Sequence, residues 1–71
     1  MTEDGFEEVT MIEVNYLVKY IGKDSPDIKN GKIYKCIAEW YDEENKLDSL
    51  SVIDETKEDY IYFPSDFEKV K

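Results

Sequence analysis

The chain has no histidine, one cysteine, two prolines and three glycines, and all nine of its cations are lysines, with no arginine. Each absence removes a class of function. Without histidine it lacks the commonest general base near neutral pH and the commonest metal ligand. The nine lysines face eighteen acids, for a formal net charge of -9. Direct nucleic-acid binding and anionic-membrane binding both need clustered cations, so neither is expected. The single cysteine, Cys36, cannot close an internal disulfide. Small secreted domains ordinarily carry several bridges, so a reducing, cytoplasmic compartment is expected. The glycines are isolated, which excludes a phosphate-cradling loop. No apolar run approaches the ~20 residues of a membrane span. The opening Met1-Thr2-Glu3-Asp4-Gly5 has neither the basic nor the apolar region of a signal peptide.

What remains is a chain of 71 residues, sized for one small domain. A chain this short buries only roughly 60% of the surface its unfolded form exposes, so modest stability is expected. One alanine and no arginine, in a mix with lysines, isoleucines, asparagines and tyrosines, fit an AT-rich coding sequence, as in a low-GC bacterium or its phage.

Hydrophobic alternation carries the fold reading. The segment from Asn30 to Tyr41 opens on a turn dipeptide and runs on as one long strand. Strict alternation puts Tyr34, Cys36, Ala38 and Trp40 on one face, with Lys35 and Glu39 on the other. Residues 1–10, rich in acids, are expected to be a flexible tail, and residues 11–71 the domain. Met11 to Ile21 reads as the first strand, with Ile12, Val14, Tyr16, Val18 and Tyr20 on one face. Gly22 to Asn30 is a loop by its turn chemistry, and Ile28 is its one apolar residue, expected to tuck back and pin it. Two further strands follow, Leu47 to Asp54 and Asp59 to Phe63, each after a polar tip. Pro64 ends the fourth strand because it cannot donate to a ladder. A helical turn at Ser65 to Phe67 and a short strand from Glu68 to Lys71 close the chain. The expected core is Val18, Tyr34, Cys36, Ala38, Leu50, Val52, Ile61 and Phe63.

The closing run Tyr62-Phe63-Pro64-Ser65-Asp66-Phe67 resembles the ending of Src homology 3 (SH3) domains. Tyr16-Leu17-Val18-Lys19-Tyr20 is similar to that family's aromatic first strand, and Gly31-Lys32 followed by Tyr34 and Cys36 to its turn into the second. The resemblance spans about residues 14 to 70. It implies an all-β fold, a small five-stranded SH3-like barrel with one 3-10 turn near the C-terminus. It also implies little about ligands. Of the positions that form the family's groove for proline-rich peptides, only Tyr20, Pro64 and Phe67 carry over. Val18 stands at the first tyrosine position, Leu47-Asp48 replaces the tryptophan, and Trp40 lies on the wrong strand.

No residue set reads as catalytic, and no cofactor or metal is expected. Cys36 sits mid-strand on the apolar face, where packing is its role. Asp42-Glu43-Glu44-Asn45 lacks the glycine and spacing of a calcium loop. Asp54, beside Thr56, reads as a turn cap. The aromatics are the better lead. If Ile61 and Phe63 point inward, Tyr60 and Tyr62 point out, and Tyr20 and Tyr41 join them from strand ends. With Pro64, these four tyrosines are the expected partner-binding residues, since tyrosine buries interface area at low entropic cost. The expected function is a non-enzymatic protein–protein interaction module, monomeric, engaging an unknown protein through an aromatic surface or a free sheet edge. The alternative is an acidic nucleic-acid mimic that occupies a DNA- or RNA-binding protein through its loop carboxylates.

Overall fold

The computed structural model describes residues 9–70; the tail expected over residues 1–10 lies almost wholly outside them. Five antiparallel strands form one sheet: β1 (Thr10–Tyr20), β2 (Ile33–Tyr41), β3 (Leu47–Ile53), β4 (Asp59–Tyr62) and β5 (Phe67–Lys69). A 3-10 turn, Pro64–Asp66, separates β4 from β5. The strand order is β4-β3-β2-β1-β5. The all-β class, the five strands and the late 3-10 turn thus follow the sequence reading.

Local chemistry sets the turns. Gly31 takes a φ of 85°, open to glycine at little cost, and its N–H reaches Tyr20 O at 2.7 Å to close the base of the β1–β2 loop. Asn45 takes the left-handed conformation between β2 and β3, while Asp42 Oδ1 accepts from the Glu44 and Lys46 amides. Ile28 is buried and holds the long loop onto the domain, as expected. Pro64 sits in the first turn of the 3-10 segment, where its missing N–H costs nothing.

The sheet is not closed into a barrel, which corrects the SH3-like barrel expected above. β4 and β5 lie at opposite ends of the strand order. Pro64 and the 3-10 turn keep β4 from zipping onto β5 as a hairpin, and β5, three residues long, pairs instead with Val18–Tyr20 of β1. Side chains span the gap. Phe67 of β5 packs edge-on against Tyr62 of β4, centroids 5.7 Å apart, and against Tyr20 at 5.4 Å. The core lies beneath them, built on Val18, Tyr34, Cys36, Leu50 and Val52.

Two side-chain assignments reverse. Along β2, Cys36 pairs with Val52 but Ala38 pairs with Ser51, so β2 carries one extra residue, Ile37, at a bulge. A one-residue insertion moves all that follows to the other face. Ala38, still buried, and Trp40 therefore leave the core face and join Ser49 and Ser51 on the opposite one, where Trp40 Nε1 donates to Ser51 Oγ at 2.8 Å. Glu39 turns onto the core face beside Leu50. The second reversal is in β4. Tyr62 pairs with Leu50 and Tyr60 with Val52, which puts both tyrosines on the core side. Ile61 and Phe63, expected in the core, are instead 59% and 71% exposed. With four consecutive apolar residues, alternation in β4 fixed the period but not which phase faces in.

Leu50→Ala should cost about 2–4 kcal/mol, a large share of a small domain's stability, whereas Ile61→Ala should change it by less than about 0.5 kcal/mol. Chemical denaturation of the two variants checks this. Cys36 is fully buried, so in native buffer a thiol reagent should label it at the rate of unfolding.

Candidate functional site

The extra residue in β2 brings Glu39 onto the core face, opposite Leu50. Where β5 and the 3-10 turn stop short of covering β1–β3, a cavity of about 290 Å³ opens. Buried Val18, Leu50 and Phe67 form its apolar floor, and Tyr16, Tyr41, Leu47, Pro64 and Lys69 rise around it. Glu39 projects into this ring. It accepts from Tyr16 OH at 2.5 Å through one oxygen and from Tyr41 OH at 2.7 Å through the other. These two bonds, Tyr16's foremost, hold the Glu39 carboxyl below its usual range, so the groove carries a fixed negative charge at neutral pH. Burial, with the carboxylate beside it, pushes the Tyr16 phenol up, and it stays a donor. The Lys69 ammonium lies 4.5 Å from the centroid of the Tyr16 ring.

A second polar cluster ties the loops together. Tyr62 OH and Thr56 Oγ1 each donate to Asp54 at 2.6 Å, and the Thr56 amide donates at 2.9 Å. Burial alone would raise the Asp54 pKa, but these bonds prevail and lower it. Asp54 is thus the turn cap the sequence indicated. Next to it, Glu55 Oε2 accepts from Tyr34 OH and Lys32 Nζ, both at 2.7 Å, while the Glu55 amide donates to Asp27 O. The cluster fastens the β1–β2 loop to the β3–β4 turn. Its polar side chains are engaged with one another, so it reads as structural.

The structure separates the five residues expected to bind a partner. Tyr41 and Pro64 meet at the cavity. Tyr20 is 7% exposed, its ring against Phe67 and its hydroxyl on Lys23 O at 2.7 Å. It folds back over Gly22, where a Cβ would stand 2.6 Å from the phenol oxygen. Tyr62 is half-buried between Phe67 and Asp54. Tyr60, 48% exposed, lies apart on the edge strand β4. Sequence reasoning misses Tyr16, Glu39 and Lys69 as a group. Alternation assigns Tyr16 to the core and Glu39 to the outer face, because the bulge at Ile37 leaves no mark in the hydrophobic pattern.

Among the described residues, no group of cysteine and acids is placed to hold a metal ion. Burial pushes the Cys36 thiol up, away from nucleophile character. No protein-family model, curated protein or solved structure matches the chain.

Glu39 and Asp54 both have depressed pKa values in the folded state, so the unfolded chain binds more protons at acid pH. Their contribution to stability is complete above the ordinary glutamate value of 4.5 and is lost as pH falls below it. Urea midpoints should therefore be flat from pH 7 to about pH 5 and drop below that. In Tyr16→Phe/Tyr41→Phe, the Glu39 carboxyl, followed by carbon-detected NMR titration, should move up toward its ordinary range. An unchanged titration would contradict the assigned hydrogen bonds.

Proposed function

We propose that this chain is a non-enzymatic interaction module whose concave groove accepts an extended segment of a partner protein. The observation that carries the reading is the Tyr16–Glu39–Tyr41 arrangement above an apolar floor. The hydroxyls of Tyr20, Tyr34 and Tyr62 close contacts that hold the fold, whereas Tyr16 and Tyr41, together with Pro64, border an open cavity. A few convergent polar groups in a mostly apolar concavity are what a binding site requires. Tyrosine and proline are rigid, so ordering them on binding costs little.

The surroundings support an extended ligand. β5 pairs with β1 only at Val18–Tyr20. Residues Thr10–Tyr16 of β1 have β2 on one side and, among the described residues, no strand on the other. That unpaired edge runs on from the groove, and a segment leaving the groove can add to it by main-chain hydrogen bonds. The strand order, with a 3-10 turn before the last strand, also supports kinship with SH3-like domains. On this reading the barrel is opened at one side and Tyr16, Tyr41 and Glu39 line the opening. Localisation in a reducing cytoplasm fits the single buried thiol.

Selection from a displayed library of random peptides supplies ligands for the test. Peptides so obtained should shift the NMR resonances of Tyr16, Tyr41, Leu47 and Pro64. Tyr41→Ala should weaken them by about 1–2 kcal/mol, roughly 5- to 30-fold, while Tyr60→Ala leaves them within about twofold. The opposite result, with shifts confined to the acidic tips Asp42–Glu44 and Glu55–Asp59 and affinity collapsing between low and moderate salt, would replace this reading with the acidic mimic.

A further inference from the structure

The groove holds an anion and already holds a cation. The Glu39 carboxylate stands among Tyr16, Tyr41 and Phe67 with one phenol on each oxygen. A carboxylate oxygen accepts more than one hydrogen bond, so each keeps acceptor capacity toward the cavity. Across the same space the chain's own Lys69 sets its ammonium on the face of Tyr16. Lys69 is an exposed residue on the short last strand β5, and a cation–π contact at an exposed site is a weak one. The acidic tip Asp42-Glu43-Glu44 follows directly on Tyr41, and the net charge is -9. The field around the groove thus draws cations toward it.

From this geometry we infer that the groove is a receptor for a basic side chain of the partner segment, an arginine or lysine, which seats between Tyr16 and Glu39 and displaces Lys69. The inference rests on the groove being the binding site. A guanidinium suits the place well: it stacks on the Tyr16 ring and donates in a fork to the two oxygens of Glu39. Lys69 then acts as a tethered competitor. It neutralises the groove when empty and swings to solvent when a ligand arrives. Such a device favours ligands that bring a cation together with apolar contacts, because a lone cation must displace one already in place.

The probe is N-acetyl-arginine methylamide, titrated into the full chain by NMR, with N-acetyl-leucine methylamide as the uncharged control. The arginine probe should shift Tyr16, Tyr41 and Lys69 with weak, salt-sensitive affinity, and the leucine probe should shift them far less. Lys69→Met should strengthen the arginine probe severalfold by removing the competitor. Glu39→Gln should weaken it at least tenfold. If Glu39→Gln does not fold, the Lys69→Met comparison decides alone. An arginine probe that leaves the groove unshifted in both wild type and Lys69→Met would overturn the inference, as would equal binding by the two probes. If library-selected peptides still occupied the groove in that case, the groove would stand as a binding site and only its preference for a cation would fall. If neither bound, both readings would fall together.

Discussion

The groove of this sheet depends on one residue that does not pair. Ile37 is an extra residue in β2, lying between Cys36, which faces Val52, and Ala38, which faces Ser51. Before it, Tyr34 and Cys36 point into the core; after it, Glu39 turns onto the same face toward the groove, and Ala38 and Trp40 point away. A strand that kept strict alternation would have put an indole into the concave face and a carboxylate outside it. The cavity would then be filled and uncharged. The bulge instead places Trp40 over Ser51 on the other face and opens the groove around Glu39. Local geometry, packing and the candidate site are thus tied to this break in register, and a second one between Trp40 and Tyr41 sets Leu47 opposite Tyr41 at the groove.

A second regularity follows from the missing arginine. Eighteen acids and no arginine leave partly buried carboxylates short of bidentate partners. Tyrosine takes that place. Tyr16 and Tyr41 donate to Glu39, Tyr34 to Glu55, and Tyr62 to Asp54. Among the described residues, only Lys32–Glu55 and Lys46–Glu44 are ion pairs, and the second is fully at the surface. A phenol brings a neutral donor and a large apolar ring together, so it satisfies the carboxylate without burying a second charge. In a domain too small for a deep core, the same side chains supply apolar area and polar closure. The cluster of Asp54 and Glu55 knots the loops to the sheet. The one at Glu39 borders the cavity, and that contrast singles it out.

Much of this is legible in the sequence. The strand positions follow from alternation and turn residues, and Ile28 stands out as the single apolar residue in its loop. Asp54 is readable as a cap from Thr56 two positions on. Three features are not. A bulge changes phase without changing composition, so Glu39 looks like an outward residue. In Tyr60-Ile61-Tyr62-Phe63 every side chain is apolar or amphipathic, and only pairing with Leu50 and Val52 decides the inner face. Closure depends on whether short end strands meet through backbone or side chains, here through Phe67 and Tyr62, and no local pattern records that. Tyr41 and Pro64 emerge from the sequence as surface candidates, but Tyr16 and Lys69, which complete their groove, come from distant segments joined only by the fold.

Nuclear Overhauser contacts within β2 test the phase change at Ile37 most directly. With the bulge in place, the Glu39 side-chain protons should contact the Tyr16 and Tyr41 rings, and the Trp40 indole should contact Ser51 and no residue of the core. Trp40 indole contacts to Val18 or Leu50, with Glu39 silent toward Tyr16, would show an unbroken strand and contradict the account.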